Sequence, residues 1–281
     1  MTTALNRLAD GTVELTINIP WPKVKAEYEK VVQAAVEKAE VKGFRKGKAP
    51  RDLVEKQLDK NKLYEEVIRL LLPTVYTEAA KEHQLKPIVS PHIKVLSLEE
   101  NKDWQIQAIT SELPTVELGD YQKTLRHEMA AGKIIVPGKK EEPEKEDQQL
   151  TKIFQILLKT AKLILPQILV EDEVNRMLAR LIDQTNKLGL TVEQYLSSIG
   201  KTTEQLRTEY TQQAQETLKL ELILSKIADE EKIQIDESEI DKMIAAAPDE
   251  GSRSQMEKPE QRLYLKQLLR KQKVVEKLLK I

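Results

Sequence analysis

Along residues 12–19 apolar and polar side chains alternate: Val13, Leu15, Ile17 and Ile19 against Thr12, Glu14, Thr16 and Asn18. That period of two predicts a half-buried strand, closed by Pro20. From Pro22, a residue tolerated in the first turn of a helix, the period changes. Val24, Tyr28, Val31, Val32, Ala35 and Ala39 recur at helical spacing as far as Glu40. Residues 41–51, with two Gly and a Pro, interrupt the pattern. A short helix around Leu53, Val54 and Leu58 follows. A longer one carries Tyr64, Val67, Ile68, Leu71 and Val75, and Pro73 is expected to kink it by removing a backbone donor. Two further strands are predicted over 93–98 and 104–113. The first 115 residues therefore read β-α-α-α-β-β, an α+β unit.

Beyond Thr115 the periodicity fades. Residues 137–149 hold eight charged side chains in thirteen and no apolar group larger than Pro, too little to offset ordering entropy. Residues 116–149 are accordingly read as a charged linker. The remainder, 150–281, is nearly all helical. An apolar helix over 153–165 stops at Pro166. The next, over 171–188, carries Val174, Met177, Leu178, Leu181, Ile182 and Leu188 on one face and is closed by Gly189. Thr191 with Gln194, and Thr202 with Gln205, have the spacing of capping boxes. The second box opens a helix predicted to run to about Glu231, roughly 43 Å at 1.5 Å per residue. Ile233–Ile235 reads as a short extended piece, and Asp236 caps a helix through Ala247. Pro248, Gly251 and polar neighbours then break the chain. A final amphipathic helix carries Leu265, Leu268, Leu269, Val275, Leu278 and Leu279.

Charge removes several function classes. Lys and Arg total 45 against 46 Asp and Glu, so bulk attraction to nucleic acid or anionic lipid is not expected. With no cysteine, disulfides, thiolate nucleophiles and Cys-based zinc sites are excluded. The start lacks a secretory apolar segment. No stretch reaches the ~18 apolar residues of a membrane helix; the richest, 153–170, is cut by Lys159, Lys162 and Pro166. The expectation is a soluble, cytoplasmic protein with no membrane partner.

Nor does the chain advertise an active site. The three histidines, His83, His92 and His127, have no metal-ligand spacing, and phosphate-loop, dinucleotide-binding and nucleophile-elbow motifs are missing. No catalytic residue, metal or cofactor is predicted, and the abundant carboxylates read as solvated helix faces.

One segment departs from the balanced composition: Val41-Lys-Gly-Phe-Arg-Lys-Gly-Lys-Ala-Pro-Arg51. It holds Lys42, Arg45, Lys46, Lys48 and Arg51 with no acid. Gly43 and Gly47 bracket Phe44, Arg45 and Lys46, allowing a sharp turn that projects those side chains. Phe is ordinarily buried, and this is one of only two in the chain. On spacing alone the segment reads equally well as a partner anchor or as a basic connector whose Phe folds back on its own domain.

The run Gly43-Phe-Arg-Lys-Gly-Lys-Ala-Pro50, placed between two helices, resembles the ribosome-docking loop of the trigger factor family of nascent-chain chaperones. Gly43, Phe44, Arg45, Gly47 and Pro50, which define that loop in the family, are all present. Leu165-Pro-x-x-Leu-Val-Glu-Asp-Glu-Val174, Gly200 after Tyr195, and Ile233-Gln-Ile-Asp-Glu-Ser-Glu-Ile240 resemble the family's helical, two-armed chaperone domain, a more diffuse match. The resemblance implies a ribosome-binding domain over 1–115 and an extended all-α chaperone domain with helical arms over 150–281. It further implies docking through Gly43, Phe44, Arg45, Lys46, Gly47, Lys48 and Pro50. The surface met would be an exit-tunnel protein and adjoining rRNA of the large ribosomal subunit. Full-length members carry an FKBP-like prolyl isomerase between the two regions, whereas only residues 116–149 separate them here. That is below the roughly 40 residues needed for an unassisted core.

The expected function is thus a ribosome-associated chaperone, not an enzyme, that holds nascent or unfolded polypeptides. A prolyl isomerase and an RNA-binding or ribosome-assembly factor are the alternatives. A helix with two apolar stripes can pack one and offer the other to a client. The long helix has a main stripe of Leu206, Tyr210, Ala214, Thr217, Leu220, Leu224 and Ile227, and a second with Leu218 and Leu222. With Leu268 and Leu269 on the final helix, Leu218 and Leu222 are the candidates for a substrate cradle. The sequence leaves open a homodimer of free molecules and the client preference.

Overall fold

The computed structural model describes residues 1–41, 44–48, 50–131 and 146–281. By packing it divides into two compact units, one of residues 1–114 with 166–169, the other of 115–165 with 170–281.

In the first unit, β1 (Thr2–Arg7) and β2 (Thr12–Ile19) form a hairpin, and β3 (His92–Ser97) and β4 (Trp104–Ser111) complete the sheet. The strand order is β1-β2-β4-β3, each neighbouring pair antiparallel. Helices α1 (Trp21–Lys38), α2 (Arg51–Gln57) and α3 (Lys60–Glu82) lie between β2 and β3 in sequence. The predicted alternation is what the sheet uses. Val13, Leu15, Ile17 and Ile19 of β2 face inward beside Trp104, Ile106 and Ala108 of β4, all essentially sealed from solvent. Against them pack Val24, Val32, Val67, Val75 and Ala79 from α1 and α3. Each large side chain buried in this way contributes about 1.5–3 kcal/mol.

One strand goes beyond the sequence expectation, and the helix expected to bend at Pro73 runs through it without a break. The β1 strand was not predicted, because only Thr3 and Leu5 of its six residues are even half-buried and an edge strand needs no second buried face. Helix α3 is continuous across Pro73, and the Thr77 hydroxyl donates to the Pro73 carbonyl at 2.6 Å.

The second unit contains α4 (Tyr121–Ala131), α5 (Glu146–Thr160), α6 (Gln167–Lys187) from Val170 onward, α7 (Val192–Ser198), α8 (Thr203–Glu230), α9 (Glu237–Ala245), α10 (Glu250–Met256) and α11 (Pro259–Leu278). Its main core joins Leu118, Tyr121 and Leu125 around α4 to Ile153 and Leu157 of α5, Ile223 and Ile227 of α8, and Val274 and Leu278 of α11. A second cluster links Leu181, Leu196 and Leu206, and a third Ile235, Ile240, Ile244 and Leu265. Both predicted capping boxes form: Thr191 accepts from the Gln194 N–H and Thr202 from the Gln205 N–H, each at 3.2 Å. Gly189 closes α6 with φ +71°, the left-handed conformation expected of it.

The segment read as a linker is smaller in the structure. Glu117 and Lys162 exchange two backbone hydrogen bonds, of 3.0 and 2.8 Å, and α4 then buries Tyr121 and Leu125. At the other end α5 begins within the charged run, where Glu146 and Asp147 favour a helix N-terminus electrostatically. The rest of the run, 132–145, lies outside the described residues. Helix α10, also unpredicted, has no buried residue and so writes no apolar stripe. Asp249 caps it by accepting from the Ser252 N–H at 2.7 Å.

Candidate functional site

The basic loop rests on two helices tied together at its base. The Tyr28 hydroxyl of α1 donates to Glu55 Oε1 of α2 at 2.9 Å, and burial, then this bond, holds the phenol well above its usual pKa. Arg51, the first residue of α2, pairs with Glu29 of α1 and reaches Glu55 at 3.5 Å. The Arg51 hydrogen bond holds the Glu29 carboxyl below the ordinary range. Exposed pairs of this type add little to stability, because solvent screens them. Their combined effect is orientation, since the start of α2, where the loop returns, is clasped to the middle of α1. The Pro50 carbonyl accepts from the N–H groups of Leu53 and Val54 at 3.1 and 3.3 Å, so α2 starts where the loop ends.

Within the loop the Phe44 N–H donates to the Val41 carbonyl at 3.0 Å, and the Lys48 N–H to the Arg45 carbonyl at 2.9 Å. Gly47, at φ +71°, donates to the Ala39 carbonyl at 3.1 Å. A Cβ there would come within 2.7 Å of the Glu37 carbonyl oxygen, so only Gly fits. Phe44 keeps 44 % of its surface exposed rather than entering the core. Arg45, Lys46, Lys48 and Pro50 are exposed with it, and Gly47 is half-buried. Lys46 pairs with Glu40 at 2.9 Å. Among the described residues Arg45 and Lys48 form no ion pair. Gly43, like Lys42 and Ala49, lies outside the described residues. Of the five basic residues in the run, Arg51 is engaged in holding the base.

The second unit carries a groove of about 640 Å³ between α8 and α11, lined by Leu222, Ser225, Leu263, Tyr264, Gln267 and Leu268. Leu263, Tyr264 and Leu268 are 61, 63 and 40 % exposed. At the groove's edge Lys271 pairs with Glu221, linking the two helices. Two of the four cradle candidates, Leu222 and Leu268, therefore share one open surface. Leu218 does not join them. It is buried, because the packed face of α8 is wider than one stripe and takes in Ala214, Leu218, Ile223, Leu224, Ile227 and Ala228. Leu269 is half-buried against the cluster of Ile240, Ile244 and Leu265. Leu263 and Tyr264 were missed because an apolar pair on a helix is indistinguishable from core until its neighbours are known. Their adjacency, which prevents both from facing the stripe of Leu265, Leu268 and Leu269, was the available signal.

Among the described residues no group of three or more His, Asp or Glu is arranged to hold a metal ion, and no helix is long and apolar enough to cross a membrane.

Two family models match the chain. One, described as bacterial trigger factor protein, covers residues 1–149, and the other, bacterial trigger factor protein C-terminus, covers 138–280. Trigger factors of Staphylococcus aureus strains JH9 and Newman are each 37 % identical over 108 residues, which is 38 % of this chain and 25 % of theirs. The match thus spans about a quarter of the length of these relatives. A solved structure reported under "Promiscuous Substrate Recognition in Folding and Assembly Activities of the Trigger Factor Chaperone" aligns with a TM-score of 0.67. That alignment covers 100 % of this chain and 99 % of the other, at 13 % identity, a likeness of fold.

Proposed function

Since the chain belongs to the bacterial trigger factor family, we propose that it is a ribosome-associated, cytoplasmic chaperone. Residues 44–48 dock at the exit tunnel, and the grooved helical unit holds nascent or unfolded polypeptide without chemical change. The observation that carries this reading is the loop tip: an exposed Phe44 flanked by Arg45 and Lys48, cations without an ion pair among the described residues, with the start of α2 fixed to α1 by Arg51 and Tyr28. An aromatic ring supplies a rigid anchor for a small apolar niche, and guanidinium and ammonium groups meet carboxylates and RNA phosphates. The partners so implied are an exit-tunnel protein and adjoining rRNA of the large subunit. The α8–α11 groove offers apolar surface rimmed by charge, which suits weak contact with emerging apolar segments.

The proposal assigns no isomerase. The two matched segments overlap over residues 138–149; α4 ends before that overlap, α5 begins within it, and both pack into the helical core.

Sedimentation with ribosomes at low and high salt tests the docking. Binding is expected to weaken steeply between about 50 and 200 mM salt, as phosphate contacts require. Salt-independent or absent binding would defeat the reading. Suppression of aggregation of an unfolded model protein, without RNA, separates a chaperone from an RNA-binding or assembly factor. A proline-isomerisation rate above background would reinstate the enzyme. For the groove, Leu263→Ala with Tyr264→Ala is expected to reduce aggregation suppression several-fold with the melting temperature nearly unchanged, because both side chains are mostly exposed. Undiminished suppression would move the client surface elsewhere.

A further inference from the structure

We propose that the C-terminal end of α1 and the residues just after it, 37–40, set both the shape and the charge of the docking loop. Gly47 is the point of contact and Glu40 is a brake on Lys46. The inference rests on the docking reading above and deepens it.

Three contacts converge on this short stretch. The Gly47 N–H is held by the Ala39 carbonyl at 3.1 Å. The Gly47 Cα lies so close to the Glu37 carbonyl that no side chain fits between them. The Lys46 ammonium is held by the Glu40 carboxylate at 2.9 Å, both side chains otherwise largely exposed. The first two fix the backbone, so Phe44 and Arg45 project from a turn braced against α1. The third divides the labour of the cations. To reach a phosphate, Lys46 must leave Glu40 or bring that negative charge along, whereas Arg45 and Lys48 have no acid to release among the described residues. Glu40 is thus a positioning residue that lowers affinity and salt sensitivity, favouring a dock that can let go.

The test measures ribosome binding of the full chain across a salt series, for wild type, Glu40→Gln, Lys46→Ala, the double variant and Gly47→Ala. Glu40→Gln is expected to bind about two- to fivefold more tightly at low salt, the range of an exposed ion pair. Its salt slope should steepen by nearly one charge. Lys46→Ala should cost more in the Glu40→Gln background than alone. A merely structural Glu40 would shift the melting temperature and leave the slope unmoved. Gly47→Ala should bind about tenfold more weakly with helix content unchanged, the penalty of a left-handed backbone for a residue with a Cβ. If Glu40→Gln superimposes on wild type at every salt concentration while alanine at Phe44, Arg45 and Lys46 abolishes binding, the brake is refuted and docking stands. If Gly47→Ala binds like wild type, the bracing is refuted. If the triple alanine variant still binds, docking falls and takes this inference with it.

Discussion

Alanine at Phe44, Arg45 and Lys46 together is expected to remove the chain from sedimenting ribosomes while its far-UV circular dichroism and melting temperature stay as they were. Both halves of that result follow from the loop's geometry. None of the three side chains supports the fold: Phe44 is exposed, Arg45 forms no ion pair among the described residues, and the Lys46–Glu40 pair is a solvated contact of small worth. The loop's shape is held by backbone hydrogen bonds from residues 44, 47 and 48, which alanine leaves intact, and by Gly47, which is untouched. The loss of binding should be large because anchors of this type concentrate interface energy. An aromatic hot spot costs about 2 kcal/mol or more on truncation, and the guanidinium adds to it. Together they approach three orders of magnitude in affinity, by about 1.4 kcal/mol per tenfold. Arg45→Ala alone should account for more than Lys46→Ala alone, since Lys46 is already partly spent on Glu40. Retained co-sedimentation of the triple variant would mean that another surface docks.

Where one face of an element is fully buried, the sequence announces it. The strand over 12–19 is legible because Val13, Leu15, Ile17 and Ile19 are all buried while Glu14, Thr16 and Asn18 between them are only half-buried. Helix α8 is legible from its capping box and length. Elements with little to bury leave no such mark. β1 half-buries two side chains, α10 buries none, and the stripe of α4 is short and set in a polar run beside the charged segment. The loop was legible as a composition anomaly. What its residues do to one another was not: the approach of Gly47 to Glu37 and the pairing of Lys46 with Glu40 depend on how the chain folds back across α1. The groove was half legible. Helical periodicity shows that α8 and α11 have broad apolar faces. Only packing reveals that Leu218 is covered while Leu263, Tyr264 and Leu268 are left open and a half-buried Leu222 lines the groove with them.

Trp104→Ala should have the largest effect on stability in the first unit, lowering it by about 3–5 kcal/mol in urea denaturation. Trp104 begins β4, paired with Ile19 of β2, and is fully buried. Its ring meets Tyr64 of α3 edge-on at 5.0 Å, and Tyr64 in turn meets Tyr28 of α1 at 5.9 Å. The three rings thus run from the sheet through α3 to α1, and Tyr28 continues the connection to α2 through Glu55. Removing the indole opens a cavity against Tyr64 of α3, whose ring in turn supports Tyr28 of α1, the helix that leads into the loop. A domain's total stability is about 5–15 kcal/mol, so a loss of this size should leave a large unfolded fraction on mild heating, and docking should fail with it. Trp104→Phe keeps the ring contact but loses the hydrogen bond from the indole N–H to the Glu99 carbonyl, 3.2 Å in length. That variant should lose much less, about 1–2 kcal/mol. The loop and core variants then separate by their signatures: the triple alanine protein fails to dock at every temperature and melts normally. Trp104→Ala should instead dock when cold and lose docking along its own melting curve. A Trp104→Ala protein that melts with wild type would show that the aromatic array does not hold α1 and α3 to the sheet.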